Sequence, residues 1–537
     1  MAGPPSTAPS ARDRIALRLL QLGAIVVVLA ATPYKVFDLD RYFVPKELAL
    51  HVCAAAAAFL CIQHVRRIRL TIVDLLIAGF LVVSLVSAAL ATNRWAAERA
   101  LAISLSGAAL FWVASSLRRA GLVRPLIVAL AIAVVIGAAT SLAQAYGVQT
   151  EYFSLNRAPG GTFGNRNFVA HLAAIGTPVV ALVALTARRG FGSLFGGIGM
   201  ASLAAVLVLT RSRAAWLAVL VLAAPVTLLG VLTWSRWCEA RTLRRLMVLG
   251  AAVVAGVIAA IAIPNHLEWK SDSPYLDSAT GLVNYKEGSG KGRLVQYTNS
   301  LHMTEAHPLL GVGPGNWPVA YPRYASRNDP SMSQDDGLTS NPWPSSDWVA
   351  FLSERGVIGF GLLLLAMFGL LGRALRDLRG GAGRDAERVL TAIALVGTLA
   401  ATAVVGAFDA VLLIAVPTFF LWTLAGALAS PGAGGIEVER GARRFAPMLV
   451  LVLGAVAVGR SALQLAAIAT FSTTNKTTVL ERASLLDPGS YRIHVKLAQG
   501  YRGRGDCSRA VAHARAARRL FPNAAEPRRE LAACGSR

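Results

Sequence analysis

Residues 194–232 read LFGGIGMASLAAVLVLTRSRAAWLAVLVLAAPVTLLGVL. Two apolar runs, Leu194–Leu209 and Ala214–Leu232, flank the short turn TRSR. Runs of roughly 15 to 23 apolar residues cross a hydrocarbon layer about 30 Å thick as helices, and the hairpin they make here sets the fold class. The chain reads as an all-α, polytopic membrane protein. Its totals agree: of 537 residues, 55% are hydrophobic and 15% charged, too apolar for a soluble globular protein.

Thirteen such runs are expected, the first Ile15–Ala31 and the last Met448–Thr470, which makes an architecture of about 12–13 transmembrane helices. Residues 1–31 combine a basic start with an apolar stretch, as a signal peptide does. No small-residue cleavage site stands out, so they are read as an uncleaved first span. The formal net charge of +24 is spread over short loops between the runs, where it sets orientation and attracts anionic lipid rather than nucleic acid.

With the basic N-terminus placed in the cytoplasm, the loops HVRRIR, LRRAGLVR, ARRG, WSRWCEARTLRR, GRALRDLRGGAGRDAER and EVERGARR all fall inside. The periplasmic face then receives Gln144–Phe168, the TRSR turn, a long loop of about 264–347 and the C-terminal tail. Arg211 and Arg213 therefore stand on the face where arginine is not expected. Either they snorkel to lipid headgroups, or they meet an anionic group held at that surface. Arginine suits a diphosphate because its planar fork donates paired hydrogen bonds and stays charged.

The chain divides into a membrane domain, 1–470, and a tail, 471–537. In the tail LDP at Pro488 and FP at Pro522 stand 34 apart, with Ala512 and Ala516 at small-residue positions, which resembles a tetratricopeptide repeat. So small a core is expected to lean on the membrane domain or on a protein partner. Its helices are placed at about 491–501, 507–520 and 525–534. That arrangement brings Cys507 and Cys534 to adjacent helix ends and predicts a disulfide, the alternative being two unrelated small apolar residues. Cys53, Cys61 and Cys238 read as small apolar residues, and no spacing resembles a zinc site.

Three outer stretches concentrate polar groups. In GGTFGNRNFVAHLAA, Asn165, Arg166 and Asn167 open an apolar span, where helix N–H groups can either bind an anion or be capped by asparagine. His171, one turn on, reads as a packed, hydrogen-bonded histidine. In Ser289–Ala325 a helix is expected with Arg293, Tyr297 and Leu301 on one face, ending at His307 and Pro308, and the GVGPGNW turn after it lacks the preceding strand of a dinucleotide fingerprint. In NPWPSSDWVAFLSERGVIGF, Asp347 and Glu354 share a helix face. Capping accounts for Asp347, whereas a carboxylate such as Glu354 inside a span is costly.

The order of TFGNRNFVAHLAA, LTRSRAAWLA, GRLVQYTNSLHMTEAHPLLGVGPGNWPVAY and SSDWVAFLSERGVIGF resembles the O-antigen ligase and polymerase superfamily of bacterial envelope glycosyltransferases, over about Thr162–Phe360, with RYFVPKE near Lys46 also similar. The resemblance implies transfer of a glycan from undecaprenyl diphosphate to a sugar acceptor at the periplasmic face of the inner membrane, without a metal or other cofactor. It places the leaving diphosphate on Arg211 or Arg213 and on Arg293, with Arg166 nearby. One departure stands out: the family's histidine before the tenth span is replaced by Ser345. Asp347, Glu354 or His307 then takes the role of base, or the chain is a polymerase that relies on leaving-group stabilisation. Polymerisation of repeat units is the favoured reading and ligation to lipid A core or to a protein the alternative. A transporter would show paired internal repeats, and none is visible.

Overall fold

The computed structural model describes residues 9–535 apart from 38, 64–68, 155–156, 189, 270, 282–287, 327, 334–335, 381–384, 433–434 and 439. Parts of the basic loops HVRRIR, ARRG, GRALRDLRGGAGRDAER and EVERGARR thus lie outside the described residues. The membrane helices in chain order are α1 (Ala11–Leu29), α2 (Asp40–Ile62), α3 (Ile72–Leu90), α4 (Arg94–Arg119), α5 (Val123–Ala145), α6 (Arg166–Leu185), α7 (Gly190–Thr210), α8 (Arg213–Leu232) and α9 (Ala240–Ala262). In the long outer loop lies α10 (Gly288–Ala306), followed by α11 (Asp347–Arg379), α12 (Ala386–Phe408), α13 (Ala415–Leu428) and α14 (Arg440–Thr473). Among the described residues eleven of these helices are long and apolar enough to cross a membrane. The other two of the thirteen expected spans fall short of that: α1, whose first turns carry Arg12, Asp13, Arg14 and Arg18, and the short α13.

Every residue of α13 is buried, and it packs against α1, α2, α4, α5, α6 and α12 at the centre of the bundle. A helix apolar on all sides needs such a position, and protein rather than lipid surrounds its ends. At the periphery, α9 and α14 present Met247, Val254, Ile258, Met448, Leu449 and Val456 outward.

Two starts differ from the apolar runs. Helices α2 and α4 begin at Asp40 and Arg94, well before the expected Ala49 and Leu101, because the charges in their outer turns have partners. Lys46 Nζ donates to the carbonyls of Val28 and Ala30 at 2.8 and 2.7 Å. Arg99 donates to both Glu47 oxygens and to Asp40, each at 2.8 Å. Hydropathy counts a charge but not its partner. Helix α11 also differs: it breaks at Gly356, whose φ is 66°. The segment 308–313 threads past the break and takes up its free groups, with Val357 N–H donating to Pro308 at 2.8 Å and Gly313 N–H to Glu354 at 2.9 Å. A Cβ at Gly356 would stand 2.2 Å from the Leu309 carbonyl oxygen.

The loops sort onto two faces. On one, β1 (Arg69–Leu70) pairs antiparallel with β2 (Ile436–Glu437). Arginines there close the helix C-termini: Arg118 on Ala427, Arg236 on Gly380 and Arg245 on Leu185, at 3.0, 2.9 and 2.8 Å. On the other face, Ser87 bonds the Leu310 carbonyl at 2.6 Å, and Asn93 N–H donates to Asn316 at 2.8 Å.

The tail lies on that second face as α15 (Thr477–Leu486), α16 (Tyr491–Arg502), α17 (Cys507–Leu520) and α18 (Ala525–Gly535). Cys507 and Cys534 are disulfide-bonded, with Cα atoms 5.4 Å apart. The tail does lean on the membrane domain. Leu480, Ile493, Leu497 and Tyr501 share an apolar cluster with Phe37, Val44, Ile468 and Phe471, and Ala525 N–H donates to Asp336 at 2.8 Å.

Candidate functional site

The turn between α7 and α8 holds Arg211 at φ 52°, the left-handed region, which no other described residue except glycine enters. A side chain with a Cβ is strained there. The Arg211 Nε donates to Ser278 Oγ at 2.8 Å, and its guanidinium lies 4.6 Å from the centre of the Trp269 ring. Arg166, at the start of α6, lies over the same indole at 5.4 Å. Arg213 opens α8, is exposed, and donates to the Gly281 carbonyl at 2.8 Å. The fold thus gathers Arg166, Arg211 and Arg213 at one spot, and among the described residues no carboxylate oxygen stands within 4.0 Å of their nitrogens. Partial burial and the charge of Arg213 pull the Arg211 pKa below its ordinary value, against Asp277 and Tyr275, which raise it. An arginine stays charged through such a shift, so three guanidinium groups share one spot with Asp277 near but not paired with them, a positive site suited to an anion.

Asn165 caps α6, its side chain accepting from Asn167 N–H at 3.0 Å. Asn167 in turn donates to Asp409 at 3.2 Å. Helix α10 is held across the start of α11 and the end of α12 by Tyr297, whose hydroxyl is shared between the carbonyls of Ser345 and Ala407 at 2.8 and 2.9 Å. Gln296 accepts from Ser345 N–H at 2.6 Å. One turn earlier, half-buried Arg293 is close enough to act electrostatically on His171.

The three candidate bases sit in different surroundings. Asp347 is fully buried, and its two oxygens accept the N–H groups of Val411 and Leu412 at 2.9 and 2.8 Å. It fixes the extended entry to α13. Glu354 accepts from Trp317 N–H at 3.2 Å and pairs with Arg355 at 3.3 Å, both side chains nearly inaccessible. His307 is exposed at the far end of α10, about 21 Å along the helix axis from Arg293. The arginines and His307 are not brought together.

Asp409 is the group that sequence reasoning missed. It follows α12, is partly exposed, and lies 4.0 Å from Nε2 of His171, a fully buried ring with no hydrogen bond on either nitrogen. In sequence it is a single carboxylate between two apolar runs, which reads as a turn; only the packing of α6 on α12 sets it beside His171. Among the described residues no three His, Cys, Asp or Glu side chains group as a metal site would.

Beyond this cluster the second face opens into a cavity of about 520 Å³ between the outer ends of α2, α4 and α14, the 338–343 segment and the tail. Phe43, Phe168 and Trp343 stand between the cavity and His171, their rings 5.2 to 6.3 Å apart.

No curated protein matches the chain. Residues 198–364, which run from α7 through Arg211, Arg213 and Arg293 to the break in α11, match the family model described as O-Antigen ligase, and the match supports glycan transfer of that type.

Proposed function

We propose that the chain transfers a glycan from an undecaprenyl-diphosphate-linked donor to a sugar acceptor on the periplasmic face of the bacterial inner membrane, and that it polymerises surface-polysaccharide repeat units. The observation that carries this reading is the cluster of Arg166, Arg211 and Arg213 around Trp269, unpaired with carboxylates and lying against the matched segment. Together with Arg293 it holds the donor diphosphate. As the bond from the anomeric carbon to the diphosphate oxygen breaks, the leaving group keeps the electron pair, and the guanidinium groups stabilise the charge it gains.

The acceptor hydroxyl forms the new bond to the anomeric carbon and gives up its proton. Asp409 takes that proton, because it is partly open where Asp347 and Glu354 are buried and already hydrogen-bonded, and because it is bonded to Asn167, the residue next to Arg166, where His307 lies at the far end of another helix. Asp409→Asn is expected to lower turnover by at least about 10²-fold while donor binding is kept, as loss of a general base does.

The lipid-linked glycans of cells lacking this chain test the reading. Single repeat units on the carrier lipid are the expected result. Long glycans accumulating on the carrier would replace polymerase by ligase, and an unchanged pattern would remove glycan transfer altogether. The tail is read as a tetratricopeptide-like unit of the same enzyme.

A further inference from the structure

The cavity beside the tail differs in chemistry from the arginine cluster. Its walls hold carboxylates and guanidinium groups in partnered sets: Arg99 with Glu47 and Asp40, and Arg355 with Glu354. Arg460 adds a contact of 3.8 Å to Glu98 and lies within electrostatic reach of Asp487. Such walls offer fixed donors and acceptors with little net field, where the arginine cluster offers an unbalanced one.

Between these polar groups stand aromatic faces. Trp95 is 37% exposed, and Tyr491 and Trp343 join it in the lining. Flat apolar faces alternating with hydrogen-bonding groups fit a ligand that carries both C–H faces and many hydroxyls. The volume lies within the ~300–1,000 Å³ range of ligand pockets.

The tail completes this site. Asp487, Gly489 and Tyr491 come from the turn between α15 and α16, and that turn is pressed onto α4: a Cβ at Gly489 would stand 2.5 Å from the Trp95 Cβ. At its other end the cavity stops at Trp343 and Phe43, which touch Phe168 one turn before His171. That end of the cavity is thus separated from His171, and from Asp409 beside it, by these aromatic rings.

We propose that this cavity binds the acceptor glycan, with the tail's 487–491 turn as one wall and Trp95 and Tyr491 as stacking platforms. The assignment rests on the glycan-transfer reading above. It is tested with the full chain in nanodiscs, using oligosaccharide released by mild acid from the cells' own surface polysaccharide. Trp95→Ala and Tyr491→Ala are each expected to raise the acceptor KM about tenfold, the loss of one aromatic contact, with the donor KM unchanged. Trp95→Phe is expected to restore most of the difference. Calorimetric binding of the oligosaccharide without donor should weaken in the same two variants and persist in Arg211→Ala.

Equal effects on donor and acceptor, undiminished binding in both variants, or no binding by the unaltered chain would each overturn the assignment. So would a change in co-purifying phospholipid with oligosaccharide binding intact, which makes the cavity a lipid site. Oligosaccharide bound through Trp95 and Tyr491 by a chain that transfers no glycan would keep the pocket and discard the enzyme reading.

Discussion

Arg211 is strained by its backbone, and the proposed function uses its side chain; the two can be separated. Holding a residue with a Cβ at φ 52° costs about 1–3 kcal/mol, which glycine avoids. Arg211→Gly and Arg211→Ala lose the same contacts to Trp269 and Ser278, so the glycine variant should be more stable than the alanine one by about 1 kcal/mol in thermal unfolding, with activity lost in both. Equal stability would mean the strain is relieved elsewhere, and full activity in either would end the role given to Arg211. At Arg213, lysine keeps the charge but not the planar fork. Arg213→Lys should lose activity nearly as badly as Arg213→Ala, and a fully active, well-expressed lysine variant would leave only the snorkelling account. These arginines were visible in the sequence because they break the charge rule of their face. Asp409 was not, and His171 reads as a hydrogen-bonded packing residue where neither ring nitrogen has a hydrogen bond, since a carboxylate ending one run and a histidine within another gain meaning only when α12 packs on α6.

Helices repeat the lesson at the next scale. The apolar runs located the spans, but the first turns of α2 and α4 were lost to their own charges, whose partners Val28, Ala30, Glu47 and Asp40 come from other segments of the chain. The break in α11 was equally hidden, because a glycine within an apolar run carries no sign of the chain that crosses it. Gly356→Ala adds a left-handed penalty of ~1–2 kcal/mol to a clash with Leu309, and a loss of at least about 2 kcal/mol is expected, read as a lower unfolding temperature. In the tail, His494 Nε2 donates to the Pro488 carbonyl at 3.0 Å, and its Nδ1 faces Nδ1 of His513 at 3.1 Å; His513 Nε2 in turn reaches Glu481 at 3.1 Å. Burial first, and the charge of His513, hold the His494 pKa below its ordinary 6.5, against the Pro488 carbonyl and Glu481. The fold therefore favours the neutral ring: the stability this contributes is full above pH 6.5 and is lost as pH falls through the lower folded value. Glu481 works in the same direction at lower pH. Burial raises its pKa, but the bonds from Tyr501 and His513 and the charges of His513 and Arg509 outweigh that and hold it below 4.5. Tail unfolding should occur at a lower temperature at pH 5 than at pH 7.5, and His494→Gln should flatten that difference; an unchanged pH dependence in the variant would assign it to other groups.

For the whole molecule, the contacts divide the loops in the same way as the count of apolar runs does, with the β1–β2 pair on one face and the tail and α10 on the other. Reporter fusions are expected to place the N-terminus in the cytoplasm and residue 474 in the periplasm, and a cytoplasmic report from residue 474 would invert both the orientation and the site. The docking of the tail on Phe37, Val44 and Trp95 also sets an order of events. The segments it touches include the α1–α2 loop, α2 and α4 as well as the end of α14, while the tail follows α14 and is made after every span. During synthesis the bundle therefore stands with this cavity lacking one side, and on the proposed orientation the last wall arrives only once the tail has been exported. A nascent chain halted at residue 474 would be a membrane body with an unfinished vestibule.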